Sequence, residues 1–314
     1  MKGRTMYFIK SHQLKGLLWA KFICLLIAMA PIKVVAQTLM AIYPDSAPNT
    51  RNGHVVLPQK LNPGLIYSVP KPEIEMFAPA EGKSNGSAVI ICPGGSYKVL
   101  VYQGEGVRAA RAFAENGTTA FVLKYRLPDD SVMKDKTIGP LQDAQQAMKF
   151  VRQRAKAWGI DPNRIGVMGF SAGGHLAATL ATHFHNALVK NPENISLRPD
   201  FVILIYPVIS MQDSLTHLDS RRNLLGKAPS KALVDGFSNE LQVADDTPPT
   251  YITHAGDDNL VSVDNSIVFY QKLRLHKVPA ELHLFPKGGH GFVLGQPIES
   301  WTAPIFKWMK TLNK

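Results

Sequence analysis

The chain has 314 residues, with 35 Lys and Arg against 24 Asp and Glu, and 45% hydrophobic residues. Those proportions exclude wholesale disorder and allow a large buried core in one domain or two. The formal charge of +11 does not point to nucleic acid. Lys2, Arg4, Lys10, Lys15, Lys21 and Lys33 all fall in the first 36 residues, beside no acid, and without them 29 basic side chains face 24 acidic ones over 278 residues.

Residues 1–36 read as a signal peptide. A basic stretch over 1–21 precedes the apolar run Phe22–Ala30, and the small residues Val34 and Ala36 stand where a signal peptidase reads. Cleavage after Ala36 is expected, which makes the protein secreted or periplasmic. The apolar run is about half the ~20 residues that spanning a membrane requires. Cys24 lacks the preceding small residues of a lipidated cysteine. Cys92 is then the single Cys of the mature chain, with no internal disulfide to form, and its place at the end of an apolar run predicts a buried thiol.

Residues 37–70, rich in Pro, Asn and Gly, read as an extended lead-in, and 71–314 as one catalytic domain. Strand-like apolar runs occupy 88–92, 119–125, 164–168, 201–206, 250–254 and 281–285. Helix-like stretches lie at about 104–116, 140–158, 172–186, 263–277 and 300–312. This alternation predicts the α/β class: a mostly parallel central sheet flanked by helices, with strands buried on both faces. The interval 207–247 breaks the rhythm. It predicts a small insertion near the C-terminal edge of the sheet, where open α/β folds bind ligands.

Gly169-Phe170-Ser171-Ala172-Gly173 stands between a strand-like run and a helix-forming run. In that context the Ser occupies a sharp, strained turn that projects its hydroxyl from the sheet edge, and the flanking glycines let the chain pass. Ser171 is therefore the candidate nucleophile, and the helix N-terminus behind it favours negative charge nearby. Cys92-Pro93-Gly94-Gly95-Ser96-Tyr97 follows an earlier strand. Its glycines let backbone N–H groups approach a substrate oxygen, and Gly95 and Ser96, with Ala172 of the elbow, are the candidate oxyanion donors; Gly94 is an alternative.

An elbow of this kind is followed in sequence by an acid and then a His, each after a strand. Asp257 and Asp258 follow the strand at 250–254, and His290 follows that at 281–285 in a glycine-rich loop. Asp258 is favoured, with Asp257 as a turn or supporting residue. His290 would move the proton in both directions, as an imidazole can, and the acid would set its tautomer. His254 and His283 read as packed or solvated strand residues, and His175 as packed beneath the elbow. His183 and His185 lack the carboxylates of a metal site. Asp143 precedes the nucleophile and reads as structural, while Arg221, Arg222 and Trp301 read as surface or packing residues and Tyr97 as a candidate wall of the acyl pocket.

With these segments together, the sequence resembles the α/β-hydrolase superfamily, and within it the secreted bacterial acetylxylan esterase-like and feruloyl esterase-like carbohydrate esterases. The likeness rests on Val89–Tyr97, Asp161–Ala177, Asp246–Thr250, His254–Ser266 and Pro286–Phe292, and covers roughly 70–295. It implies Ser171 as nucleophile, His290 as base, and Asp258 as acid, since the family acid lies three residues before the position that is here Val261. Two positions depart from the pattern: Ser96, where many relatives have a third Gly, and Pro93, where lipase-like relatives have His. The implied reaction is hydrolysis of O-acetyl esters on plant hemicellulose such as xylan, through an acyl-enzyme and without metal or organic cofactor. The expected partner is an acylated carbohydrate or another small ester, with no nucleic acid and no membrane span after signal cleavage. Alternatives are a feruloyl-type or general short-chain carboxylesterase, a prolyl-oligopeptidase-like peptidase, for which 37–70 is too short to supply the usual propeller, and a non-catalytic binding protein.

Overall fold

In the computed structural model, Met1, Gly3, residues 37–51 and residues 61–312 are described. The signal segment expected over 1–36 thus lies, apart from Met1 and Gly3, outside the described residues. One sheet holds eight strands: β1 (Gln37–Ala41), β4 (Glu73–Phe77), β5 (Ala88–Cys92), β6 (Thr119–Lys124), β7 (Ile165–Phe170), β8 (Val202–Ile205), β9 (Thr250–Ala255) and β10 (Ala280–Phe285). A two-stranded hairpin, β2 (Leu61–Asn62) with β3 (Leu65–Ile66), stands apart from it.

Across the sheet the order is β1-β4-β6-β5-β7-β8-β9-β10. β1 and β4 run antiparallel to each other, β4 runs antiparallel to β6, and every later pairing is parallel. All residues of β5, β6, β7, β8 and β9 are buried, the continuous apolar pattern of strands covered on both faces. The other three strands are different: β10, at one edge, has no buried residue, contrary to the expectation of strands buried on both faces. β1 and β4 carry polar residues among half-exposed ones and present no unbroken apolar run, so the sequence pattern did not reveal them, and the lead-in contributes β1 to the sheet.

Five helices cover the sheet: α1 (Arg108–Glu115), α2 (Gly139–Arg154), α3 (Ser171–His183), α6 (Asp264–Leu275) and α7 (Ile298–Thr311). α2 opens with Pro140, whose missing N–H costs nothing in a first turn, and after a 3₁₀ turn the chain leaves through Gly159 at φ 66. Asp143 of α2 is structural, as expected. Its carboxylate takes the guanidinium and the backbone N–H of Arg126, just beyond β6, and also the Tyr43 hydroxyl at 3.0 Å. Both members of this ion pair are buried.

The interval 207–247 forms two short helices, α4 (Leu218–Leu225) and α5 (Lys231–Gly236), and a 3₁₀ turn at Asn239–Leu241. Ser230 caps α5 by accepting the Leu233 N–H. Asn265, at the start of α6, fastens the interval to the body: its side-chain oxygen accepts the N–H groups of Ile209 and Ser210 at 3.0 Å each, and its amide donates to the Leu215 carbonyl. Cys92 is buried and unpaired. Among the described residues no helix is long and apolar enough to cross a membrane.

Strand register decides what meets at the sheet's C-terminal edge. Cys92 pairs with Gly169, so the loop after β5 and the turn after β7 leave the sheet side by side. Ala255 pairs with Phe285, so the loops after β9 and β10 also leave together.

Candidate active site

The turn after β7 is tight because nothing else fits. Gly173 touches the neighbouring loop so closely that a Cβ there would lie 2.1 Å from the Cys92 carbonyl oxygen. Ser171 takes φ 50, a left-handed conformation that costs a non-glycine residue on the order of 1–3 kcal/mol and is held by its surroundings. Its side chain is brought to His290, whose Nε2 lies 2.9 Å from Ser171 Oγ. His290 Nδ1 lies 2.7 Å from Asp258 Oδ2.

Charge settles the direction of these bonds. Asp258 is buried, which by itself would raise its pKa, but hydrogen bonds from His254, His290 and the Val261 N–H outweigh burial and hold the carboxyl below its usual range. An ionised carboxylate only accepts, so His290 carries its hydrogen on Nδ1 and its bare Nε2 accepts the Ser171 hydroxyl. The N–H groups of Leu260 and Val261, each 2.9 Å away, hold the other carboxylate oxygen. Asp257 sits beside this chain and supports it: its Oδ1 accepts the Gly289 N–H, one residue before His290.

The loop after β5 crosses in front of the elbow. Gly95, Ser96 and Tyr97 all take positive φ, at 122, 56 and 59. The N–H groups of Gly95 and Ser96 have no acceptor among the described residues, whereas Gly94 spends its own on the Glu105 carboxylate. Ala172 lies in the first turn of α3, where N–H groups have no intrahelical acceptor. Three distant segments hold the strained loop. The Tyr97 hydroxyl donates to His175 Nδ1 at 2.9 Å, His175 Nε2 donates to the Phe237 carbonyl at 2.8 Å, and Asn223 donates to the Ser96 carbonyl at 2.8 Å. Burial pushes the His175 pKa down to about 4, so its ring is neutral and able to accept from Tyr97.

A family model described as BD-FAE matches residues 74–273. The chain belongs to the BD-FAE family. A dienelactone hydrolase family model also matches this BD-FAE protein over 236–312. It is 40% identical to an acetylxylan esterase of Xylanibacter ruminicola over 67% of this chain and 42% of that protein. It is 38% identical to endo-1,4-beta-xylanase B of Butyrivibrio fibrisolvens over 72% of this chain and 36% of that one. The chain therefore spans about four-tenths of the length of these curated relatives. Among solved structures, an acetyl ester-xyloside bifunctional hydrolase from Caldicellulosiruptor lactoaceticus superposes with a TM-score of 0.73 and 35% identity, covering 88% of this chain and 96% of that one. The superfamily resemblance read from the motifs is borne out, and the strand order and neighbours are those of the α/β-hydrolase fold.

The remaining sequence candidates take ordinary places in this BD-FAE domain. Trp301 is buried against Phe170, and Arg221 is paired with Asp213. His183 contacts the Gly236 carbonyl, His185 contacts Asp246, and His283 stacks on Tyr251. Among the described residues no group of three or more His, Cys, Asp or Glu is arranged to hold a metal.

Sequence reasoning missed two residues. His254 is fully buried; its Nε2 faces Asp258 Oδ2 at 3.1 Å and the Val261 carbonyl at 3.0 Å, so it carries a hydrogen, while its Nδ1 meets the Ser266 hydroxyl. It holds the Asp258 carboxylate at the oxygen that His290 also meets. A His inside a continuously apolar strand needs a partner, and that was the available signal. Glu105 is the other, and no local pattern marks it.

Proposed function

We propose that this protein is an exported serine esterase that removes O-acetyl groups from xylan or its oligosaccharides. The observation that carries the reading is the unbroken hydrogen-bonded chain from Ser171 through His290 to Asp258. Ser171 Oγ attacks the ester carbonyl carbon as its proton passes to His290 Nε2. The carbonyl oxygen becomes negative and is held by the N–H groups of Gly95, Ser96 and Ala172, each such donor being worth about 2.7–4 kcal/mol of barrier. Asp258 stabilises the imidazolium. The tetrahedral intermediate collapses, His290 returns the proton to the departing sugar hydroxyl, and the acetyl group remains on Ser171. Water, deprotonated by His290, then releases acetate.

The similarity to an acetylxylan esterase and to a xylanase supports xylan as the substrate. So does the cleft beside the oxyanion loop, where Tyr67, Pro70 and Leu127 offer apolar surface and Lys98 and Asn223 offer polar groups. A sugar ring, with carbon–hydrogen faces and a hydroxyl rim, needs both. The basic and apolar order of residues 1–36 supports export.

Acetate release from acetylated xylan tests the reading, beside p-nitrophenyl acetate, butyrate and octanoate, with Ser171→Ala as control. Release from xylan and from the acetate ester, falling steeply with acyl length, is expected. Turnover limited to the p-nitrophenyl esters would move the natural substrate to another acylated glycan or a feruloyl ester. Turnover by Ser171→Ala would remove the mechanism.

A further inference from the structure

Glu105 is a buried carboxyl that the proton relay does not use. It lies in a π-helical turn, Tyr102–Val107, between the oxyanion loop and α1, and is 4% exposed. Such turns interrupt helices at a cost and occur often at functional sites. Glu105 Oε2 accepts the Gly94 N–H at 2.6 Å, and Oε1 accepts the Tyr206 hydroxyl at 3.0 Å. Burial pushes its pKa up to about 7, although both hydrogen bonds and the nearby His290 act against the rise. The titratable groups facing it are Tyr206, Tyr125 and His290. Among the described residues no Lys or Arg pairs with it. A carboxyl in such a place is costly unless its bonds serve something.

Both donors belong to parts that meet at the reacting atoms. Gly94 opens the loop that carries Gly95 and Ser96. A side chain at Gly94 would reach within 2.8 Å of Glu105 Oε2 and 2.9 Å of Ser171 Cβ, so carboxyl, loop and nucleophile are packed as one layer. Tyr206 follows β8 at φ 36, and its ring packs on that of His290 with centroids 4.9 Å apart. Glu105 thus joins the segment that binds the oxyanion to the shelf on which the base rests.

Building on the esterase reading, we propose that Glu105 is a positioning residue: by accepting from Gly94 and Tyr206 at once, it holds the oxyanion donors in register with Ser171 and His290. The required property is an acceptor on both oxygens. Glutamine supplies one acceptor for the Gly94 N–H and one N–H₂, so the Tyr206 hydroxyl must turn and accept instead of donate, and the negative charge between the two donors is lost. Aspartate keeps both acceptors but is one methylene short.

The test compares wild type, Glu105→Gln, Glu105→Asp and Tyr206→Phe on p-nitrophenyl acetate. A trifluoromethyl ketone provides a second readout. Ser171 Oγ adds to its carbonyl carbon as the proton passes to His290, leaving negative charge on the ketone oxygen, so its affinity reports the oxyanion site. Thermal melting measures folding. Glu105→Gln is expected to lower kcat by about 10- to 100-fold with KM within about threefold, and to weaken the ketone by a similar factor. Glu105→Asp restores part of the loss. Tyr206→Phe shows a smaller loss, because the bond to Gly94 remains. A folded Glu105→Gln protein with wild-type kcat and ketone affinity overturns the proposal, as does a loss confined to KM. Should Glu105→Gln fail to fold, Tyr206→Phe carries the test, and kcat equal to wild type overturns it. A wild-type protein that neither cleaves the ester nor adds to the ketone overturns the esterase reading along with the inference. Active wild type with an unaffected variant overturns the inference alone.

Discussion

The elbow and the oxyanion loop lie side by side, and both are strained, yet they are held in different ways. At the elbow, backbone excludes the alternatives: at Gly169 and Gly173 a Cβ would lie about 2.1 Å from a carbonyl oxygen. At the oxyanion loop backbone crowds the chain too, since a Cβ at Gly95 would lie 2.1 Å from the Val99 carbonyl oxygen, and side chains from far along the chain add a second restraint. Tyr97 bonds to His175, 78 residues away, and Ser96 to Asn223, 127 residues away. A turn enforced by backbone sterics is specified by its own five residues and by the end of β5, Cys92 and Pro93, against which they pack. A loop enforced by hydrogen bonds is specified only once the fold is complete, and it is correspondingly easier to loosen without unfolding.

This contrast can be broken from either side. On the proposed mechanism Ser171→Ala removes the nucleophile and leaves the loop intact. The expected loss of kcat is about 10⁶-fold, with a residual rate still about 10³–10⁴ above water from the oxyanion donors and binding. Steady-state kinetics on p-nitrophenyl acetate checks it; a residual rate no better than water would mean the loop contributes nothing by itself. Gly173→Ala attacks the steric side. The new methyl must displace the Cys92 and Pro93 carbonyls, which neither can permit cheaply, and a loss of about 3 kcal/mol or more in urea unfolding is expected.

The loop side has a signature in pH. His175 has its folded pKa lowered to about 4 from its ordinary 6.5. Between those values the unfolded chain binds the proton and the folded chain does not, so this contribution is present above pH 6.5 and is lost as pH falls toward 4. Glu105 runs the other way. Its folded pKa is raised from 4.5 to about 7, so the folded chain holds the extra proton, and stability is lost as pH rises through that interval. The two largely offset each other in the wild type. Glu105→Gln should expose the His175 slope, with stability rising by about 3 kcal/mol more between pH 4.5 and 7 than in the wild type. Melting curves at several pH values measure this, and parallel curves for the two proteins would contradict it. The smallest expected effect is that of Tyr97→Phe. It leaves His175 Nδ1 without its main donor, costing about 1–3 kcal/mol of stability, and lowers kcat about fivefold as the loop relaxes. Unchanged values would show that the positive-φ loop holds itself.

The same contrast explains what the sequence disclosed. The place of Ser171 was legible because its motif, strand and helix are adjacent, and the nearness of Asp258 and His290 to it because each follows a strand in the required order. The buried parallel strands β5 to β9 were legible from unbroken apolar runs, while β1 and β4, the antiparallel pair at one end of the sheet, were not. Glu105 was invisible because its meaning lies in Tyr206, 101 residues away. His254 was visible as a residue but not as a partner, since nothing local tells a packed imidazole from one bonded to the acid. Asn265 and Asn223 are ordinary polar residues until the 207–247 segment is in place.

The central claim is that catalysis passes through an acyl group on Ser171. Its most direct test is to quench the enzyme with acid during turnover of p-nitrophenyl acetate and map the peptides by mass spectrometry. The expected result is one acetyl group on the peptide carrying Ser171, formed in a burst of p-nitrophenol stoichiometric with the enzyme and absent from Ser171→Ala. Turnover without an acetylated Ser171 peptide, or an acetyl group on another residue at burst stoichiometry, would contradict it.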